Sequence, residues 1–97
     1  MLSSIPLSLD KINEQNRDKE ILRAGIIAEL DAVNLYEQMA SVAKSEAIKT
    51  CLLDIAKEEK THVGEFQALL LKLDAEQIDE LERGKNEVDE QMSREKL

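Results

Sequence analysis

Residues 46–73 read EAIKTCLLDIAKEEKTHVGEFQALLLKL. The run has no proline and one glycine, Gly64, and is otherwise rich in good helix formers. At about 100° per residue, Leu52, Ile55, Ala56, Val63, Phe66, Leu70 and Leu73 share one stripe, which predicts a long amphipathic helix lying on a neighbour. Glu59 breaks the pattern, because it lies inside the apolar stripe, with His62 one turn on at its edge. Lys57, Glu58 and Lys60 fall on the sides or back, as solvated charges do.

Upstream, Lys44 and Ser45 form a short junction in which Ser45 can cap the helix. Before it, residues 19–43, KEILRAGIIAELDAVNLYEQMASVA, carry no helix breaker except Gly25, and Asp18 suits the N-cap position. This helix also turns an acid inward: Glu29 sits among Leu22, Gly25, Ile26, Val33, Tyr36 and Ala40. Downstream, Asp74 followed by Gln77 is a variant capping box, opening a third helix from Ala75 to about Met92. Its stripe of Ile78, Leu81, Lys85, Val88 and Met92 is narrow and interrupted by a lysine, so weaker packing is expected. Residues 1–17, with Pro6 and several Ser and Asn, are expected to be a flexible arm, and residues 93–97 a tail. The expected class is all-α: an antiparallel two-helix hairpin with a shorter C-terminal helix, spanning residues 18–92.

Composition narrows the function. Thirteen Lys and Arg against 21 Asp and Glu give a formal net charge of -8, which opposes nucleic-acid and anionic-membrane partners and favours cations. Tyr36 and Phe66 are the only aromatics, too few for a stacking platform. No apolar run is long enough to cross a bilayer and no secretory signal opens the chain, so a cytoplasmic, soluble protein is expected. The lone cysteine, Cys51, cannot form an internal disulfide and is read as a small buried hydrophobe.

Glu29 lies fifteen positions before Lys44 and Glu59 fifteen after it, so an antiparallel hairpin brings the two acids to one height. Two inward carboxylates at one level repel each other unless a cation or a shared proton lies between them. Carboxylate-bridged di-iron bundles take one Glu from each of two helices and a Glu-x-x-His pair from each of the other two. This chain has one of each and a single histidine, so a complete site requires a second copy across a two-fold axis. Ile27, Ala28, Leu30 and Leu35 make the first helix apolar on further sides, which predicts contacts beyond that dimer.

The stretches IIAELDAVNLYEQMA and LLDIAKEEKTHVGEF resemble the encapsulated ferritin family, half-length ferritin-like proteins of encapsulin nanocompartments. That resemblance implies a hairpin that dimerises into a four-helix ferroxidase, rings of such dimers forming a decamer, and iron delivered to the surrounding encapsulin shell. It places Glu29, Glu59 and His62 as the metal ligands and Tyr36 as the nearby tyrosine. Asp31 matches one acid of a metal-access group, while Ala28 and Leu35 stand where another acid and a tryptophan are expected. The carboxyl end, DEQMSREKL, lacks the apolar targeting peptide of stand-alone members, so a fusion domain and stand-alone cargo both stay open.

The expected chemistry is oxidation of Fe(II) to Fe(III) by dioxygen or peroxide at a di-iron centre shared by two subunits. In it Glu59 and its mate bridge the ions, and Glu29 and His62 of each chain cap one ion apiece. Tyr36 either hydrogen-bonds a ligand or passes an electron, or is simply a core aromatic. Zinc or manganese also suits the ligands. The competing readings are a rubrerythrin-like di-iron peroxidase and a metal-free helical oligomerisation module in which the two acids set register.

Overall fold

The computed structural model describes residues 13–95, which form three helices in the order α1 (Glu14–Val42), α2 (Glu46–Leu73) and α3 (Ala75–Glu95). Most of the N-terminal arm expected from the sequence lies outside the described residues. Its last part does not stay irregular: α1 starts at Glu14, five residues before the expected start at Lys19, because Asn13 Oδ1 accepts the Gln15 N–H at 2.9 Å. Asn is as good a cap as Asp, and nothing between the two positions breaks a helix. Asp18 therefore sits inside the helix near its positive end.

The junction is short. α1 stops at Val42 with Ala43 in an extended conformation, and Ser45 Oγ accepts the Ile48 N–H at 3.3 Å to open α2. Contacts between the helices then run in opposite senses: Glu37 meets Lys60, Glu29 meets His62, Gly25 meets Phe66 and Arg23 meets Asp74. Rising numbers in α1 pair with falling numbers in α2, as an antiparallel hairpin requires.

Asp74 is the corner of the fold. It ends α2 and caps α3, its Oδ1 accepting the Gln77 N–H at 3.1 Å while its Oδ2 accepts from Arg23 of α1 at 2.9 Å. With one residue between helices, α3 cannot fold back along α2. It projects instead, and the molecule measures 47 × 46 × 20 Å. No residue of α3 is buried, in keeping with the narrow stripe read from its sequence. Lys85, which interrupts that stripe, is held by Asp89 at 2.8 Å one turn on.

The core is thin. Among the described residues only Val33, Ala40, Ala56 and Leu70 are buried, and the two alanines let the helices approach near the junction. A compact chain of this length has a radius of gyration of about 12 Å, whereas this one has 17.0 Å. Its accessible surface, 7520 Å², exceeds the roughly 5,600 Å² usual for its mass. The excess is larger than the share one partner buries in an ordinary protein interface, about 800 Å². Ile21, Leu69 and Leu73 stay exposed on one flank of the hairpin, and Ile27 and Leu81 on the other. Cys51 is exposed as well, contrary to the buried position expected of it. The α2 turn that carries it lies beyond the reach of α3, and one partner helix cannot cover all of its sides.

Candidate metal centre

Glu29 is at the middle of α1, and Glu59 and His62 are at the middle of α2. The three side chains converge. One ligand atom from each lies within 4.8 Å of the others, and all three residues are half-buried. His62 Nδ1 stands 3.3 Å from Glu59 Oε2 and 3.4 Å from Glu29 Oε2, nearly equidistant from the two acids. Their closeness follows from equal helical paths on either side of the junction.

The cluster is not satisfied by its own members. His62 and Glu59 are at hydrogen-bond distance, but Glu29 Oε2 is buried with no hydrogen-bond partner. The carboxylate side chains are each 19% exposed, whereas the imidazole is 45% exposed. Whichever tautomer His62 adopts, its hydrogen-bond contact is with Glu59, and Glu29 Oε2 keeps a buried lone pair without a hydrogen bond. Such a group costs free energy unless a cation completes it. Carboxylate oxygens and an imidazole nitrogen are a donor set for first-row divalent ions, iron, zinc and manganese included. The residues therefore fit a metal, but three ligands from one chain are half of a bridged two-ion centre.

The other residues singled out in the sequence lie apart from this cluster. Tyr36 is half-buried on the Glu29 stripe, seven residues on and so about 10 Å along the axis. Asp31 is half-buried and roughly 200° around α1 from Glu29, on a different side of the helix. Two contacts had no signal in the spacing of single helices. Lys60, read as a plain solvated charge, pairs with Glu37 at 3.4 Å, and Arg23 reaches Asp74 across 51 positions. Counting from Lys44 would not have located them, because it sets Glu37 opposite Cys51 and Arg23 opposite Glu65. The Gln77 N–H and the Arg23 guanidinium hold the Asp74 carboxyl below its ordinary value of 3.8.

Comparison with known proteins places the chain. A family model, rubrerythrin, matches residues 20–96. The ferritin-like–encapsulin shell fusion protein of Pyrococcus furiosus is 53% identical over 92 residues, which are 93% of this chain and 27% of that protein. The encapsulin nanocompartment cargo protein EncC of Myxococcus xanthus is 39% identical over 56 residues, 58% of this chain and 43% of that one. This chain thus spans about a quarter of the fusion protein and less than half of the cargo protein. The crystal structure of the encapsulated ferritin domain from Pyrococcus furiosus matches with a TM-score of 0.79 at 54% identity, covering 93% of this chain and 94% of that one.

Proposed function

The chain belongs to the rubrerythrin family and, within it, to the encapsulated ferritin-like proteins, and from that premise we propose that two copies form a ferroxidase centre between them. The substrate is Fe(II), and the purpose is storage or detoxification of iron together with an encapsulin shell. The observation that carries this reading is the buried Glu29 Oε2, which has no hydrogen bond and faces Glu59 and His62.

In the proposed dimer, Glu59, Glu29 and His62 of each chain would together hold the iron, Glu59 and its two-fold mate being shared between the two ions. The four carboxylates would balance the charge of two Fe(II) ions. The pair would supply one electron each, and with two protons from solvent these reduce dioxygen to hydrogen peroxide, or hydrogen peroxide to water, leaving two Fe(III). The carboxylates favour the product, because the added positive charge is held at short range in a half-buried site. His62 contributes an imidazole nitrogen from a side chain that is 45% exposed. Tyr36 is assigned a supporting role along the same stripe, either as a hydrogen-bond donor or as an electron relay. Asp31, on its separate face, is assigned at most the attraction of ions from solvent.

Assembly follows from exposed apolar surface on both flanks of the hairpin. One flank, with Ile21, Leu69 and Leu73 two turns or more along the hairpin from the metal cluster, pairs to complete the centre. The other, with Ile27 and Leu81, joins dimers into a larger closed ring, for which a decamer is the proposed size. Association with a shell is proposed because the Pyrococcus furiosus relative is fused to one and the Myxococcus xanthus relative is a cargo protein of one. It would place the chain inside a nanocompartment. Among the described residues, no helix is long and apolar enough to cross a membrane.

The test is Fe(II) oxidation followed optically, with native mass spectrometry of the same samples with and without Fe(II). His62→Ala is expected to slow oxidation by about 100-fold or more, since even outer-shell partners of metal ligands commonly change activity 10- to 100-fold. Unchanged rates in that variant would exclude the assignment. Absence of metal uptake by the wild type would favour a metal-free oligomerisation module.

A further inference from the structure

We infer that Gly25 and Phe66 set the distance between α1 and α2 at the metal cluster, so that Gly25 is a positioning residue for Glu29 and His62. The inference rests on the metal-binding reading above. Gly25 is one turn before Glu29, and Phe66 is one turn after His62, so the two contacts are successive layers of the same register, about 6 Å apart along the hairpin.

Glycine is the least favourable residue in a helix interior after proline, and α1 runs through Gly25 unbroken. The reason is steric. A Cβ built on Gly25 would lie 3.3 Å from each of Cδ2, Cε2 and Cζ of Phe66, tighter than ordinary contact. At Gly64 and Gly84 a Cβ would meet nothing within 4 Å. The Phe66 ring therefore lies against the α1 backbone where a side chain fits only if the ring gives way. A methyl there forces the ring, and with it α2, outward by a few tenths of an ångström.

The cluster one turn away has little slack. Its ligand atoms lie within 4.8 Å of one another, with His62 Nδ1 3.3 Å and 3.4 Å from the two carboxylates. Two ligands on a shared first-row ion, each about 2.0–2.2 Å away, stand no further apart than about 4.4 Å, and functional constellations tolerate errors of only about 0.5 Å. Separation at the Phe66 layer works directly against that spacing.

Anaerobic Fe(II) titration by calorimetry tests this, with the thermal midpoint of each metal-free chain measured alongside. Gly25→Ala is expected to weaken Fe(II) binding about tenfold while the metal-free midpoint holds or rises, because alanine is the better helix former. A merely structural glycine would lower both. The double variant Gly25→Ala with Phe66→Leu, which removes the ring, is expected to return to within about threefold of wild type, since the two sites are in contact and should couple. Wild-type affinity in Gly25→Ala, or no rescue in the double variant, overturns the positioning role alone. Failure of the wild type to bind Fe(II) overturns both this inference and the ferroxidase reading.

Discussion

Glu29 is the residue on which the chemistry turns, and its burial makes a prediction of unusual sign. In the metal-free chain its Oε2 is buried without a hydrogen-bond partner, beside a second carboxylate. Glu29→Gln removes a charge from that pair and adds two amide donors able to reach Glu59. The metal-free variant is therefore expected to be more stable than wild type by about 1 kcal/mol, a rise of roughly 4–8 °C in thermal midpoint for a domain of this size. The same variant is expected to lose the further stabilisation that Fe(II) confers on the wild type, since metal bound only to the folded state adds stability by mass action. Calorimetric scans with and without Fe(II) check both halves. A destabilised metal-free variant would mean that the carboxylate serves the fold rather than a metal.

At the scale of elements, much was legible in the sequence because helical spacing is local. The bounds of α2, the Ser45 cap and the Asp74–Gln77 cap follow from residue types at fixed offsets. Equal counting from Lys44 gives the expectation that Glu29 and Glu59 share one height, and one ligand atom from each lies within 4.8 Å of the other and of His62. The direction of α3 was not legible, because it depends on a single residue's dihedral angles at Asp74. Nor was the Gly25–Phe66 contact, which needs the rotation of both helices and not merely their register. The early start of α1 was missed because Asn13 and Asp18 are equivalent as caps, and sequence offers no means of choosing between them.

The corner at Asp74 carries a pH dependence whose sign can be worked out. Its folded-state pKa is lowered, first by the Gln77 N–H and then by Arg23, so its contribution is fully present above its unfolded value near 3.8. That contribution is lost as pH falls from there through the lower folded value. Protonation weakens the α3 cap and the tie to α1 together, while α1 and α2 keep their own contacts. Amide exchange at the start of α3, around Gln77 and Ile78, is expected to quicken below about pH 4 before exchange in the middle of α2 does. In Asp74→Asn, which keeps a capping oxygen but no charge, that acid-dependent step should be absent. Its persistence would assign the step to another carboxylate.

The molecule as a whole is shaped as part of something larger. Among the described residues four small or medium side chains form its core, its radius of gyration is 17.0 Å, and exposed apolar residues line both flanks of the hairpin. A chain with one such flank can close as a dimer, but a chain with two different self-complementary flanks must form a ring or an open filament. The flanks should then be separable by mutation. Leu69→Glu, on the side of the metal cluster and 51% exposed in the single chain, is expected to prevent pairing across the centre and to abolish Fe(II) oxidation. Ile27→Glu, on the opposite flank and 47% exposed, is expected to leave Fe(II)-binding dimers that assemble no further. Native mass spectrometry and small-angle scattering distinguish monomers, dimers and rings, and an oxidation assay on the same samples links each state to activity. A charge placed in a buried apolar interface commonly costs several kcal/mol, enough to shift assembly by more than a hundredfold in dissociation constant. If both variants gave the same species, the two flanks would belong to one interface, and the metal centre would have to be completed without a ring.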